Sequence, residues 1–186
     1  MACAGRGARR MSWPEWVVVA VVFFVILSIA WSTLRLGISP MPSSPSVRDG
    51  LLQVIAPTTV GVIHELGAGW GTLAFAIARH CPKAHVVAHE GSIVPWLFLR
   101  IRAALSSSTN ISVSFGNFMK ADLTGASGAV AYLWTGGMRD LGPKFEAELP
   151  PGAFVVSHTF EWRGRAAEAQ VTARDLYRTP IYRYRL

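Results

Sequence analysis

The stretch "VIHELGAGWGTLAFAIARH", Val62 to His80, constrains this chain more than any other. An apolar, β-branched run ends in a glycine-rich turn, and an alanine-rich helical pattern follows at once. A strand that feeds a helix through such a turn places backbone N–H groups and a helix N-terminus at the carboxyl edge of a sheet, where open α/β folds bind ligands. Gly67, Gly69 and Gly71 let the backbone come close to such a ligand, with Ala68 between them. A dinucleotide, a nucleoside triphosphate and S-adenosylmethionine are the candidates. The spacing is G-x-G-x-G, so the third glycine of a dinucleotide fingerprint falls on Thr72, and no Lys-Ser or Lys-Thr closes the loop as in a phosphate-binding loop.

Glu65 narrows the choice. It puts a carboxylate two residues before Gly67, where a pyrophosphate would approach, and like charges about 4 to 6 Å apart in a partly dry site repel. S-adenosylmethionine has no phosphate and carries an ammonium and a sulfonium, so an acid there is favourable. Glu90 ends the second strand, nineteen residues after Gly71, at the place where a carboxylate accepts hydrogen bonds from the ribose hydroxyls of a nucleoside. By itself Glu90 fits NAD equally well; with Glu65 it brackets an adenosyl cation. After the third strand, "GNF" offers Asn117 as an acceptor for the adenine amino group and Phe118 as an apolar ring wall or a core residue. No cluster of side chains suggests a metal.

Short apolar runs alternate with helical ones, the signature of βαβ units around a mostly parallel sheet. Strands are expected at 60–66, 85–89, 111–115, 129–134 and 154–159, with helices at 71–80, 93–105 and 138–148. A short helix from Val47 to Ile55, capped by Ser46 and stopped by Pro57, precedes them. The end of the chain differs. In "QVTARDLYRTPIYRYRL" two strand-like runs flank "DLYRTP", which predicts an antiparallel pair on the sheet edge. Tyr182 and Tyr184 alternate there with Arg183 and Arg185, so one face is expected to pack and the other to be solvated. Only about nine residues, "EWRGRAAEA", link the fifth strand to this hairpin, too few for a crossover helix.

Residues Trp16 to Leu34, "WVVVAVVFFVILSIAWSTL", carry no charge. At about 1.5 Å per residue their helix nearly spans a hydrocarbon core of about 30 Å, and Trp13, Trp16 and Trp31 stand toward its ends as interfacial anchors would. A buried core helix and a cleaved signal peptide are the alternatives; the first would want a polar face, and Arg6, Arg9, Arg10 and the small-x-small "SIA" favour the second. The expected organisation is a basic tail over 1–15, a transmembrane helix over 16–36, a proline- and serine-rich linker over 37–46 and a ligand-binding domain over 47–186. The net charge is +7. Three of those charges lie in the tail, and the part from Arg48 onward is only mildly basic. An anionic membrane surface is therefore a more economical partner than nucleic acid, for which no motif is present. Cys3 and Cys81 lie on opposite sides of the apolar segment, so no intramolecular disulfide framework is expected.

Taken together, "ELGAGWG", "AHE" and "GNF" resemble the motifs of class I S-adenosylmethionine-dependent methyltransferases. Through "PSSPSVRDGLLQ", "LPPGAFVVSHTFEW" and "DLYRTPIYRYRL" the chain is similar, within that superfamily, to a small group with a single N-terminal transmembrane segment. That group includes mitochondrial lysine methyltransferases acting on ATP synthase subunit c and on the adenine nucleotide carrier. The resemblance implies a Rossmann-like, mostly parallel sheet with an antiparallel C-terminal hairpin, S-adenosylmethionine as cofactor, and a protein lysine as acceptor. The chain departs from the group at Asn117, at Trp70 inside the loop, and in "LWTGGMRD", which borders the acceptor site.

Methyl transfer from a sulfonium depends on an in-line, deprotonated nucleophile in a dry site. The expected catalytic residues lie after the fourth and fifth strands: Trp134, Thr135 and His158, with Phe160 and Trp162 nearby. The leading expectation is a membrane-anchored enzyme that methylates lysine of a membrane protein, with lipid contacts through 16–36. A methyltransferase for a lipid, quinone or other small molecule, and a tethered adaptor without turnover, are the alternatives. The arginine tail favours a cytoplasmic N-terminus by the positive-inside rule, yet the cofactor is made inside cells. The catalytic domain is thus expected on the cytoplasmic or mitochondrial matrix side.

Overall fold

The computed structural model describes residues 11–36, 44–133 and 135–186. The arginine tail, most of the linker and Trp134 lie outside the described residues, as does the Thr135 side chain. Helix α1, Trp13–Leu36, begins three residues before the predicted segment. Glu15 in its first turn accepts a hydrogen bond from the Ser12 N–H at 2.6 Å, which satisfies a free donor at the helix start. Residues 13–30 are apolar enough for a membrane span, with a mean hydropathy of 2.2.

Helix α2, Pro45–Gln53, starts two residues earlier than predicted, because Ser44 rather than Ser46 caps it and Pro45 takes the first helical position. Proline suits that position, where its missing N–H would have no partner anyway. The sheet that follows has seven strands: β1 Gly61–Leu66, β2 Ala84–Glu90, β3 Ile111–Phe115, β4 Gly128–Ala131, β5 Phe154–His158, β6 Ala169–Thr172 and β7 Pro180–Arg185. Their order is β3-β2-β1-β4-β5-β7-β6. β1 to β5 are parallel, and β7 runs antiparallel to both β5 and β6. The order reverses between β1 and β4, so the ligand crevice of an open sheet lies at the carboxyl ends of those two strands.

Helices α3, Thr72–His80, and α4, Ile93–Leu105, cover one face together with α2. Leu51, Ile55, Ile63, Phe75, Ile77, Val86 and Leu99 form that core. Helix α5, Thr135–Glu148, covers the other face over Leu66, Val155 and Tyr184. It starts three residues before the predicted Met138, since the Gly136-Gly137 pair that reads as a loop is helical here. Mid-helix Gly142 has a packing reason: a Cβ there would lie 2.5 Å from the Trp162 indole nitrogen. Between β3 and β4 the chain makes only a 3-10 turn, Phe118–Lys120, so the second face is half-covered over β2 and β3.

The C-terminal hairpin forms as predicted, but its faces do not divide into packed and solvated. Ile181 is buried in the α2–α4 core and Tyr184 in the α5 core. α2 packs on the Ile181 side of β7 and α5 on the Tyr184 side, so both of its faces meet protein. Arg183, on the face expected to be solvated, lies 5.3 Å from the Phe154 ring centroid.

Candidate active site

The glycine loop carries the geometry its sequence demands. Gly67, Gly69 and Gly71 have φ of 86°, 54° and 75°, left-handed values that a side chain strongly disfavours. At Gly71 a Cβ would also lie 2.1 Å from Leu99 Cδ1 of α4. The loop is pinned to the second strand, since the N–H groups of Gly67 and Ala68 both donate to the His89 carbonyl, at 3.0 and 2.8 Å.

Glu90 supports the same loop. Its Oε2 accepts the Gly69 N–H at 2.7 Å and its Oε1 the Ser92 N–H at 2.6 Å. The predicted second acid is thus buried against two backbone donors at the ligand edge of β2. Glu65 stands beside it on β1, also buried, and its Oε2 has no hydrogen-bond partner. Burial, with the Glu90 charge adding to it, pushes the Glu65 carboxyl up to about 8, against the Ala74 N–H that lowers it. An orphaned buried carboxyl next to a second acid is a site short of positive charge, and an adenosyl cation supplies that charge. The open space above Gly67, where the nearest atom to a Cβ would be Leu133 Cδ2 at 3.9 Å, leaves room for close approach. The residues present therefore fit S-adenosylmethionine.

Asn117 directs its side-chain carbonyl to the Met119 N–H at 2.9 Å, capping the 3-10 turn, and stays exposed. Phe118 is half-buried against the α5 core. Trp70 packs edge-on to Phe98 of α4, with ring centroids 5.4 Å apart, and its carbonyl accepts from Arg102 at 3.2 Å. The loop tryptophan is thereby braced against α4 rather than α3, the helix that the loop opens.

At the carboxyl ends of β4 and β5, His158 is buried and stacks flat on Tyr132, with centroids 4.1 Å apart and planes 7° from parallel. The Phe160 ring lies 6.4 Å from that of Tyr132, centroid to centroid, with the planes 29° apart. Nδ1 of His158 meets the Thr159 hydroxyl at 3.2 Å, while Nε2 is buried with no partner. Burial holds the imidazole down at about 4, despite the opposing charge of Asp175, so it is neutral at physiological pH. Trp162 is a core residue instead, buried between Phe145 and Tyr184. Tyr132 falls inside the strand expected over 129–134, but β4 ends at Ala131, which leaves Tyr132 at the acceptor edge.

A second pairing was also invisible in sequence. His64 Nδ1 and His89 Nε2 lie 2.9 Å apart beneath the two acids, with the rings nearly parallel. Desolvation lowers both, His89 to about 4. Neutral rings can share one N–H between them, and this ties β1 to β2 where the loop departs.

Comparison with known proteins agrees with this geometry. The ANTKMT methyltransferase domain family matches residues 65–169, more than half of the chain. A protein-lysine N-methyltransferase of Saccharolobus islandicus is 30% identical over 141 residues, covering 73% of this chain and 84% of that protein. Among solved structures, an RNA methyltransferase from Salinibacter ruber in complex with S-adenosyl-L-homocysteine superposes with a TM-score of 0.69 at 26% identity, over 78% of this chain and 93% of its own. A precorrin-6y C5,15-methyltransferase from Geobacter metallireducens shares the fold, with a TM-score of 0.60 at 13% identity over 78% and 90% of the two chains. A glycine loop under two buried acids, on a sheet of this order, thus has the company its chemistry predicts: the chain belongs to the ANTKMT methyltransferase domain family and is a class I methyltransferase that uses S-adenosylmethionine.

Proposed function

We propose that the chain is a membrane-anchored protein N-methyltransferase that modifies lysine of a membrane protein, with α1 in the bilayer and the domain from 47 onward carrying the chemistry. The observation that carries this reading is the open acceptor edge. Residues 159–168, between β5 and β6, form a loop with no helix, and the hairpin tip beside it exposes Leu176 and Tyr177. An edge without a lid suits a side chain presented on another polypeptide better than a small molecule that must be enclosed. The lysine specificity of the Saccharolobus relative points the same way.

In this reading Glu65, Gly67, Ala68, Gly69, Gly71, Glu90, Asn117 and Phe118 hold the cofactor. When bound, S-adenosylmethionine supplies an electrophilic methyl whose bond to sulfur breaks, with its electron pair staying on sulfur, as the lysine nitrogen bonds to carbon. Glu65 would hold the cationic end of the cofactor and Glu90 its ribose hydroxyls. The stack of Tyr132, His158 and Phe160 makes the acceptor edge dry, which favours the neutral amine the reaction needs. With Nδ1–H donated to Thr159, the unpartnered Nε2 of His158 is a neutral acceptor that can take a hydrogen bond from the arriving amine and so orient it. Trp134 and Thr135, which follow β4 in the sequence, are proposed as further members of the acceptor border.

The single-pass anchor rests on the apolar run of α1, and the cytoplasmic or matrix placement of the domain on where S-adenosylmethionine is made. Membranes incubated with the full chain and radiolabelled S-adenosylmethionine test the reading. Label in the protein fraction, in lysine after hydrolysis, is the expected result; label confined to the lipid extract sinks it in favour of a small-molecule acceptor.

A further inference from the structure

Helix α4 has the wrong outside for a helix that faces water. Ile93, Leu97, Phe98, Ile101 and Leu105 are each between 48% and 83% exposed, while Pro95 and Leu99 on the opposite side are buried. At about 100° per residue, these apolar positions, with exposed Ala104 and half-buried Val94 among them, span an arc of about 140°. No polar residue interrupts it. Arg100 bounds the arc on one side and Arg102 on the other, and α4 contains no acidic residue. A soluble domain seldom leaves so continuous an apolar face open.

Beside this face lies a groove of about 430 Å³, lined by Phe75, Arg79, Phe98, Ile101, Arg102 and Leu105. Its walls are apolar, with two guanidinium side chains among them. Arg102 lies over the Phe75 ring, 4.3 Å from its centroid. The apolar helix α1 contacts α4, and the half-buried residues of α1 among those described, Val25, Ser28 and Ile29, fall on one seam.

We infer that the exposed face of α4 is a membrane-docking surface, which lies in the interfacial layer of an anionic bilayer with the arginines directed to lipid phosphates. This rests on the reading that α1 is a membrane anchor, and it adds a second, orienting contact. A broad apolar face flanked by arginines is the pattern of a helix lying in the plane of the interface, where arginine stems cross the apolar layer and their heads reach phosphate. Because Phe98 of this face packs on Trp70, docking sets the cofactor loop immediately above the lipid. The acceptor edge is then held at a fixed height over the membrane, within reach of a lysine at a membrane protein's surface.

The test uses the full chain with Cys3 replaced by serine, reconstituted in vesicles of phosphatidylcholine and phosphatidylglycerol that contain both a shallow and a deep doxyl-labelled lipid. An environment-sensitive fluorophore is placed singly at Leu97→Cys, at Ile101→Cys as a second report on the face, at Phe23→Cys in α1, and at Asp140→Cys on the exposed side of α5. Buried Cys81 does not compete for label. The inference expects at least twofold quenching at 97 and 101, none at 140, and weaker quenching at 97 and 101 in pure phosphatidylcholine. Quenching at 23 alone overturns it and leaves the anchor standing. No quenching at 23, 97 or 101 overturns both. Quenching at 97 and 101 without 23 supports the docking face and removes the anchor. Self-quenching between labels at 97 that ignores the doxyl lipid assigns the face to a second copy of the chain and overturns the inference, as does equal quenching in the two lipid mixtures.

Discussion

Replacing Glu65 by glutamine separates a buried acid that awaits a cation from one that is merely structural. The carboxyl is fully buried, and its pKa moves from 4.5 in the unfolded chain to about 8 in the folded one. A group raised in this way contributes stability that is complete below pH 4.5 and is lost as pH rises through 8. At about 1.4 kcal/mol per unit, the stability lost because the carboxyl ionises in the unfolded chain but not in the folded one is about 1 kcal/mol at pH 5 and about 3 kcal/mol at pH 7. Glutamine keeps the shape and does not titrate. Whatever constant cost its amide carries, the melting temperature of Glu65→Gln relative to the unmodified chain should therefore rise by roughly 4–8 °C between pH 5 and pH 7, at about 2–4 °C per kcal/mol. The assay is thermal denaturation of the full chain without cofactor across that range, followed by circular dichroism. Titration calorimetry at pH 7, in buffers of different ionisation enthalpy, should then show about one proton released per S-adenosylmethionine bound, and no release in the variant. Parallel melting curves from pH 5 to pH 8 would refute the reasoning, because a carboxylate already ionised in the folded chain has no such dependence.

Glu90→Ala removes the acceptor of both the Gly69 and Ser92 N–H groups, and calorimetry should find S-adenosylmethionine binding abolished while circular dichroism shows the domain folded. Gly71→Ala combines a left-handed backbone with a Cβ 2.1 Å from Leu99; urea denaturation should show a loss of about 2 kcal/mol or more, and a loss below about 0.5 kcal/mol would contradict the packing described. His89 is held down at about 4, so its contribution is present above pH 6.5 and lost as pH falls toward 4. The advantage of the unmodified chain over His89→Gln should shrink by about 1–2 kcal/mol from pH 7 to pH 5, as read from melting curves of the two proteins.

The parts of this fold that could be read in sequence are those set by local chemistry. The strand–turn–helix around Gly67 to Gly71 needs residues tolerant of positive φ, and the glycines announce it. Glu65 and Glu90 were legible because each sits at a fixed offset from that turn. The cap of α2 was missed by two residues, since Ser43, Ser44 and Ser46 are equally good caps until Pro45 selects the helical frame. Gly136 and Gly137 argue locally against a helix, and the packing of Met138, Leu141 and Phe145 on the sheet overrides them. The His64–His89 pair and the Tyr132–His158 stack depend on neighbouring strands and their side-chain directions, which no single strand encodes. For the same reason Arg183 reads as solvated in sequence: the strand alternates as predicted, but the covering of its two faces by α2 and α5 is a property of the whole fold.

One measurement bears most directly on the central claim. The full chain, reconstituted in its membrane, is incubated with S-adenosylmethionine carrying a deuterated methyl group, and peptides of the membrane proteins are sequenced by mass spectrometry. The account predicts the deuterated methyl on lysine side chains, dependent on the added chain and absent with Glu90→Ala. Transfer that spares lysine, or that proceeds undiminished with Glu90→Ala, would contradict it.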